Sequence, residues 1–400
     1  MFLLIFFPFI DLNITPEEYG SISVFDFISY FALVFTLEDF FSYSRGKNIY
    51  NVIISALIGL LFIGSLKSEF IGNSLINFFK FLSVFIFSKM LIDECMKDLS
   101  FTKLVIKSLK LGCIISLVFL LIQIIIGIKF TLYPDLNPNV YMGLGSDTLR
   151  FPSFFQDPQK YAQYLSMLGF IFLMNRETKA TPGILNMAIF VLVVLAVLLT
   201  GSRAGFLGLL MGLLIAVLFK KGKIWIIAFC CILVGYLIVT NFPQYFSILN
   251  RGEDFNTSFG TRYEIWKEGV QIFSANPLLG IGIGNHHNYI VSHSISGYYL
   301  IDDNIVYYGT ESGYVQILIE CGLLGFILIF FLILKPVIDA FRSYKYFHNF
   351  NIILLIGSII SWMTAYATLN SLSDKRILVI LITLVCLLVV AKKSPEAIYG

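Results

Sequence analysis

Long apolar segments alternate with shorter polar ones along most of this chain. About twelve of the apolar segments approach the length that an α-helix needs to cross a hydrocarbon core of about 30 Å. They comprise residues 1–14, 21–37, 51–66, 71–93, 105–128, 158–174, 184–200, 202–219, 223–240, 312–334, 350–371 and 374–391. The pattern predicts an all-α integral membrane protein with about twelve transmembrane helices, folded as a single polytopic domain over residues 1–400.

One long segment, residues 259–325, departs from this pattern because it is neither apolar enough to span a bilayer nor polar throughout. Near its start, Thr261 is followed three residues later by Glu264, which is the spacing of a capping box. Further along this segment, Asn276 is followed by Pro277. These signals predict a helix from Thr261 to Asn276.

The predicted helix has an apolar stripe and a polar side. The stripe consists of Tyr263, Trp266, Val270 and Phe273. Arg262 and Lys267 belong to the polar side, so the helix is expected to lie along a membrane surface. As the first residue of this helix, Arg262 would offer a guanidinium beside free backbone N–H groups, which suits a phosphate or pyrophosphate. The alternative is an arginine in solvent that complements lipid headgroups.

Composition narrows the class of protein. Hydrophobic residues make up 58% of the chain and charged residues 13%, which is far from the composition of a soluble domain. The net charge of +3 is small and spread over loops, so no nucleic-acid partner is predicted. The six cysteines offer neither a disulfide framework nor the spacing of zinc ligands.

Basic residues fall on every second loop between the apolar segments, as at Arg45, Lys97, Arg176, Lys220 and Arg342. Because basic loops stay on the cytoplasmic side, these loops and both termini are predicted to be cytoplasmic. The large loop at residues 241–311 then faces outward. A loop of about 70 residues is too long for a simple connector and is expected to carry function through short amphipathic helices.

Five motifs follow one another between residues 150 and 325. They are Arg-Phe-Pro-Ser-Phe at 150–154, Thr-Gly-Ser-Arg-Ala-Gly at 200–205, Arg-x-x-x-Trp at 262–266, Asn-Pro-Leu-Leu-Gly-x-Gly-x-Gly at 276–284, and a polar pair followed by Gly-Tyr-Val-Gln-Ile-Leu-x-Glu-x-Gly-Leu-Leu-Gly at 311–325. In this order, they resemble the shared domain of bacterial O-antigen polymerases (Wzy type) and O-antigen ligases.

The resemblance implies a GT-C-like glycosyltransferase in the bacterial cytoplasmic (inner) membrane that uses no cofactor. Its donor would be an undecaprenyl-pyrophosphate-linked oligosaccharide held among the membrane lipids, and a chain-length regulator protein is a further expected partner. The outward loop fits such a donor, because no ATP or nucleotide sugar is available on that side. The family's ligases usually carry His-Asn where this chain has Glu311 and Ser312, and this departure favours a polymerase.

Transfer of a glycan from pyrophosphate requires a group that stabilises the departing negative charge. Outward acidic residues are scattered, so arginine rather than a metal ion is predicted in this role, since a guanidinium is always charged and can hold two phosphate oxygens. Arg262 and Arg203 are the predicted catalytic arginines, although Arg203 can also be read as an arginine that snorkels to headgroups. The resemblance assigns Arg150 to substrate binding, while its local sequence indicates a loop solvated by water.

Glu311 is the predicted catalytic group that orients or deprotonates the attacking hydroxyl, because it stands at the outer end of the span at 312–334. An N-cap acid favoured by the helix dipole is the alternative. Further along, Ser312, Gln316 and Glu320 repeat every four residues and form one polar face. Glu320 is therefore expected to point inward, either to bind substrate or to pair with another helix.

Three further residues are assigned to substrate binding: Tyr314 and Trp266 through their places in the motifs, and His287 in the outward loop. The alternative for His287, which its local sequence favours, is a loop residue without this role. The alternate glycines of residues 280–284 differ from a nucleotide-binding loop and indicate close backbone packing or the approach of a sugar.

These features favour an inverting, metal-independent polymerase that joins undecaprenyl-pyrophosphate-linked repeat units into a surface polysaccharide such as O-antigen or capsule. The rival within the family is a ligase that transfers the glycan to a lipid A core or a protein. A flippase or transporter of lipid-linked glycan predicts paired charges within several spans and matching halves. The notable charges within the spans are Asp26, Lys80 and Glu320, and no matching halves are visible.

Overall fold

The computed structural model describes residues 12, 14, 22–35, 49–128, 130, 150–174, 183–219, 254–293, 298–301, 304–307, 310–371 and 374–393. Their helices, in chain order, are α1 (Val24–Phe35), α2 (Ile49–Leu66), α3 (Ile71–Lys97), α4 (Leu99–Ile126), α5 (Pro158–Phe172), α6 (Ile184–Leu199), α7 (Arg203–Phe219), α8 (Asp254–Ala275), α9 (His286–His293), α10 (Gly313–Phe347), α11 (Phe350–Tyr366) and α12 (Lys375–Lys393). Between α9 and α10, the strands β1 (Tyr298–Ile301) and β2 (Asn304–Tyr307) form an antiparallel hairpin with Tyr298 opposite Tyr307.

The helices confirm the predicted all-α membrane fold. Helices α1 to α7 and α10 to α12 each fall on a predicted span. Among the described residues, α3, α4 and α10 are long and apolar enough to cross a membrane by length and composition. The predicted spans at 223–240 and, except for residues 12 and 14, at 1–14 lie outside the described residues. The sequence pattern did not indicate the short hairpin of β1 and β2.

Helix α10 is longer than predicted and is broken. It runs for 35 residues to Phe347, past the predicted end at Leu334, and it accommodates Pro336. At Gly322 the backbone leaves the helical region, with φ at 66°. The result is a short outer part, residues 313–321, and a long inner part that continues toward the cytoplasmic side of the predicted topology.

Small residues bring α7 and α11 into close contact. A Cβ atom at Gly208 would lie 2.5 Å from the carbonyl oxygen of Ser361, and one at Gly212 would lie 2.6 Å from the carbonyl oxygen of Gly357. Side chains at these positions would hold the two backbones apart, whereas glycine lets helices in a membrane pack closely. This contact fixes α7, whose first residue is Arg203.

The prediction that α8 begins at Thr261 is wrong. The helix begins at Asp254 and ends at Ala275, one residue before the predicted end. The backbone is already helical at Thr261, so the capping-box spacing there marks no helix start. Arg262 consequently lies in the third turn and not in the first, and the free N–H groups of the helix N-terminus are not beside its guanidinium.

The two faces of α8 have different neighbours. Gly269 and Ile272 pack on α10, against Val315 and Ile319. Two of the four residues of the predicted apolar stripe are exposed, Tyr263 at 57% and Val270 at 58%, while Trp266 and Phe273 are half-buried. An apolar surface left outside the protein core is typical of a helix that lies in a membrane interface.

A buried ion pair joins the first and last described helices. Asp26 on α1 is paired with Lys375 at the start of α12, and both side chains are buried. The carboxylate of Asp26 also accepts hydrogen bonds from Ser23 Oγ at 2.8 Å and Ser83 Oγ at 2.5 Å. The charge noted on Asp26 therefore has a partner that the sequence analysis did not identify, as charged groups within a membrane require.

Candidate functional site

Arg262 on α8 and Glu311, just before α10, form an ion pair. The Nε atom of Arg262 donates to Oε2 of Glu311 at 2.5 Å. Their side chains are 31% and 42% exposed, so both remain accessible from solvent. The fold thus brings two of the three predicted catalytic residues together across 49 positions of sequence.

The backbone of Glu311 has a conformation that few residues adopt. Its φ is 44°, in the left-handed region that favours glycine. The N-cap of α10 is Ser312, and the Glu311 side chain binds Arg262 instead of capping the helix. The alternative assignment of Glu311 as the N-cap acid is therefore wrong. A non-glycine residue held with positive φ at an accessible site is a feature that clusters at functional positions.

The residues that flank Glu311 are buried. Thr310 is 1% exposed, and its hydroxyl has no hydrogen-bond partner among the described residues. The ring of Tyr366 covers Gly313, where a Cβ would lie 1.9 Å from the ring. Tyr314 donates its hydroxyl to the carbonyl oxygen of Met363 at 2.7 Å. Tyr314 thus anchors the outer end of α10 to α11, while Thr310 is a polar residue next to the site that sequence analysis missed.

Glu320 lies two turns further along α10 and is buried. Its Oε2 accepts a hydrogen bond from the backbone N–H of Gly284 at 2.9 Å, and its Oε1 accepts one from Nε2 of Gln316, also at 2.9 Å. The expectation that Glu320 points inward is confirmed by its burial. Both carboxylate oxygens are thus bonded to the protein, one to Gln316 on the same helix and one to the loop that contains Gly284. Glu320 therefore does not pair with a second transmembrane helix through these bonds.

The glycine-rich loop, residues 276–285, pairs with the break in α10. The N–H of Ile281 donates to the carbonyl of Ile319 at 2.9 Å, and the N–H of Leu323 donates to the carbonyl of Pro277 at 2.8 Å. These bonds satisfy peptide groups that a broken helix leaves unpaired, which lipid could not do.

Close approach of the two backbones explains the glycines. A Cβ at Gly280 would lie 2.5 Å from the backbone of Glu320, and one at Gly322 would lie 2.3 Å from the carbonyl oxygen of Leu278. Gly280 has a φ of 73° and Gly282 has a φ of 95°, both in the left-handed region. The prediction that the glycine run indicates close backbone packing is confirmed.

Polar residues just before α3 and in its first turn hold the other side of this loop. Ser68 Oγ donates to the carbonyl of Ile281 at 2.6 Å, and Asn73 Nδ2 donates to the carbonyl of Gly284 at 2.9 Å. Asn285 Nδ2 in turn donates to Ser68 Oγ at 2.5 Å. Sequence analysis missed these residues because more than 200 positions separate them from the loop and each is common in turns.

Trp266 lies one turn from Arg262 on α8, and His287 lies in the first turn of α9. Trp266 is half-buried, and its indole nitrogen has no hydrogen-bond partner among the described residues. His287 is exposed, whereas its neighbour His286 is buried. Burial, together with the nearby His287, lowers the pKa of His286 to about 4, so the His286 imidazole is neutral at physiological pH.

Arg150 and Arg203 lie on either side of the turn between α6 and α7: Arg150 binds the turn, and Arg203 follows it at the start of α7. Arg150 is 4% exposed and its Nε donates to the carbonyl oxygen of Thr200 at 2.9 Å. The expectation that Arg150 lies in a loop solvated by water is therefore wrong. Gly201 has a φ of 63°, and Ser202 Oγ accepts from the N–H of Gly205 at 3.2 Å, which caps α7. This turn presents Arg203 at the first position of α7, partly exposed.

The described residues contain no group of three or more His, Cys, Asp or Glu side chains arranged to hold a metal ion. The pair Asp302 and Asp303 lies outside the described residues. The metal independence of the reaction stays a prediction.

The comparison with protein families matches the same region. A family model described as O-Antigen ligase matches residues 188–330, which include the turn at α7, the whole of α8 and α9, and the break in α10. No curated protein matches this sequence. The family implies a glycosyltransferase-like enzyme that acts on lipid-linked glycans in a membrane. Residues 188–330 of this integral membrane protein are therefore similar to the domain that the O-Antigen ligase family model describes.

Proposed function

We propose that this protein is a polymerase that joins undecaprenyl-pyrophosphate-linked oligosaccharide repeat units into an O-antigen or capsular polysaccharide. The observation that carries the proposal is the accessible ion pair of Arg262 and Glu311 at 2.5 Å. It places a carboxylate, able to take a proton, beside a guanidinium, able to hold a phosphate. Glu311 lies just before the membrane helix α10, and Arg262 is bonded to it from α8; the lipid-linked donor is proposed to present its pyrophosphate there.

In the proposed reaction, a hydroxyl oxygen of the acceptor sugar attacks the anomeric carbon of the donor sugar. The bond from that carbon to the pyrophosphate oxygen breaks, and its electron pair leaves with the undecaprenyl pyrophosphate. Glu311 takes the hydroxyl proton, and Arg262 and Arg203 stabilise the negative charge of the leaving group. A single displacement of this kind inverts the configuration at the anomeric carbon.

The resting ion pair couples donor binding to this chemistry. A pyrophosphate that binds Arg262 competes with Glu311 for the guanidinium, because both are anions that accept its hydrogen bonds. Donor binding then releases the carboxylate to act as a base. Without donor, the base stays neutralised by its partner.

The other predicted substrate-binding residues divide into two groups. Trp266, one turn from Arg262 on α8, and the exposed His287 on α9 are proposed to contact sugar, with the indole ring as a stacking surface. Arg150, Tyr314 and Glu320 each bond to the protein's own backbone. They are proposed to serve the site by holding its elements in place.

The description of the matching family model favours a second candidate, an O-antigen ligase that transfers lipid-linked glycan to a lipid A core or a protein. Glu311 supports the polymerase instead, because the resemblance implies a histidine at this position in ligases. A flippase or transporter would require matching halves as well as paired charges within the spans. The described residues include the buried pairs Asp26–Lys375 and Asp374–Arg376, but no matching halves are visible in the sequence.

We further propose the cytoplasmic (inner) membrane as the location, with both termini cytoplasmic and the loop at 241–311 outside. A chain-length regulator protein is the proposed partner that limits polymer length. Hydrogen bonding by arginine supports the proposal that the reaction needs no metal ion, since guanidinium groups supply the charge that a metal would supply.

The deciding experiment incubates the purified protein in lipid nanodiscs with a lipid-linked repeat unit, with and without EDTA. A ladder of products that differ by one repeat unit, formed equally in both samples, is the expected result. Transfer of a single glycan to added lipid A core, without a ladder, would replace the polymerase by the ligase. A ladder lost in EDTA and restored by one divalent ion would contradict metal independence while leaving the polymerase in place.

A further inference from the structure

A second buried charge pair lies at the start of α12, next to Lys375. Asp374 and Arg376 are 3% and 1% exposed. Both carboxylate oxygens of Asp374 accept from the guanidinium: Oδ1 from Nε at 3.0 Å and Oδ2 from Nη2 at 2.7 Å. The pair is therefore bidentate and cut off from solvent, a geometry that only arginine provides.

The guanidinium of Arg376 also reaches a distant part of the chain. Its third nitrogen, Nη1, donates to the carbonyl oxygen of Phe154. The guanidinium carbon lies 4.2 Å from the centre of the Phe155 ring, in a cation–π contact. Arg376 thus connects α12 to residues 150–157, across 222 positions of sequence.

Residues 150–157 have no regular secondary structure before α5 and are held by contacts on several sides. Ser153 has a φ of 52°, in the left-handed region, and its N–H donates to Oε1 of Gln123 at 3.0 Å. Its hydroxyl donates to the carbonyl of Ser116 at 2.8 Å. A strained backbone of this kind persists only where its surroundings fix it.

The same segment begins with Arg150, which bonds to the carbonyl of Thr200 in the turn before Arg203. The N–H of Phe151 also approaches the carbonyl of Leu199, at 3.5 Å. A path of direct contacts therefore runs from Arg376 through Phe154 and its neighbours to the turn that starts α7.

We infer that Asp374 and Arg376 position residues 150–157 and, through Arg150, the turn that presents Arg203. Arg376 is a positioning residue, since its nitrogens are bonded to Asp374 and Phe154 and it acts on Arg203 through them. This inference rests on the proposed function only for its effect on activity; its effect on the segment is independent of the reaction.

The test introduces Phe151→Cys as a probe of the segment and compares its labelling rate by a water-soluble maleimide in three backgrounds. Arg376→Lys keeps the charge but loses the fork and the flat surface over Phe155. Phe155→Leu leaves the ion pair intact and removes the ring. Lys392→Gln is the matched control. Lys392 lies on the same helix α12 as Arg376, and its substitution removes a partner of the buried Asp339 on α10. The parent protein without Phe151→Cys gives the background rate.

We expect faster labelling in Arg376→Lys and in Phe155→Leu, and an unchanged rate in Lys392→Gln. In the polymerase assay, kcat should fall by about a hundredfold in Arg376→Lys, the loss that a displacement of about 1 Å at a reacting group produces. The melting temperature is measured for each variant. If Arg376→Lys does not fold, Phe155→Leu carries the comparison.

Unchanged labelling in a folded Arg376→Lys or Phe155→Leu would overturn the inference, and so would equal acceleration in Lys392→Gln, which would indicate general loosening. Faster labelling with full polymerase activity would overturn the connection to Arg203. A wild-type protein without polymerase activity would refute the proposed function, and the labelling rates would still decide whether Arg376 holds the segment.

Discussion

Replacement of Glu311 by glutamine separates catalysis from structure at the proposed site. The substitution keeps the size of the side chain and its ability to accept a hydrogen bond from Arg262, and it removes the charge and the basic oxygen. Because the two side chains are 31% and 42% exposed, their ion pair contributes only about 0–1 kcal/mol to stability. Loss of a general base, in contrast, lowers a rate by about 10²- to 10⁴-fold.

The expected result is therefore a large loss of activity with a small loss of stability. The initial rate of ladder formation is measured in nanodiscs, and the melting temperature is measured on the same preparations. Glu264→Gln is the matched control. Glu264 lies on α8, as Arg262 does, is 64% exposed and pairs with Lys267 at 3.8 Å. It should change neither quantity.

A second substitution at the same position tests the strained backbone. Glycine adopts a φ of 44° at little cost, so Glu311→Gly should fold at least as well as the wild type although its carboxylate is gone. It should be as inactive as Glu311→Gln. If the rate falls by less than about tenfold in both variants, Glu311 is not the general base that the mechanism requires. If Glu264→Gln lowers the rate as much as Glu311→Gln does, the effect comes from the charge of the protein surface and not from Glu311 itself.

Three further predictions follow from the fold. Gly280→Ala should destabilise the protein by more than about 1 kcal/mol, since alanine is strained at positive φ and its Cβ would collide with the backbone of α10; Gly59→Ala, with open space around it, should be neutral or slightly stabilising by thermal melting. His286 takes up its proton in the folded state only near pH 4, whereas the unfolded chain binds it near pH 6.5. The free energy of unfolding is therefore unaffected by this group above pH 6.5 and decreases as the pH falls toward 4, by at most about 3 kcal/mol. His286→Gln should flatten the dependence of the melting temperature on pH. A cysteine at Lys267 should react with an impermeant reagent in intact cells and one at Lys345 should not, and labelling of both would contradict the proposed topology.

The helices of the membrane domain could be predicted because each one carries its own signal. An apolar run of sufficient length must become a helix in lipid, since no other local structure satisfies its peptide groups. The ends were less predictable. At α8, the Thr261–Glu264 spacing gave a false start, because a capping box is defined by two residue types that also occur in the interior of a helix, and the helix begins at Asp254.

Contacts between distant segments could not be predicted from the sequence. Arg262 and Glu311 were each proposed as catalytic, but nothing in either motif indicated that they bind each other. Asp374 and Arg376 were overlooked because a charged stretch at a helix end normally lies in solvent. Only the folded chain shows that Arg376 is buried against Phe154.

The break in α10 explains why the two glycine-containing motifs belong together. A helix broken at Gly322 within a membrane exposes peptide groups that lipid cannot satisfy, so another segment must supply the hydrogen bonds. The loop at 276–285 supplies them, and it approaches closely enough only because glycine stands at Gly280 and Gly322. Glu320 then ties Gly284 to the same part of α10. The outer part of α10 is thereby fixed against α8, and this is the arrangement that holds Glu311 next to Arg262.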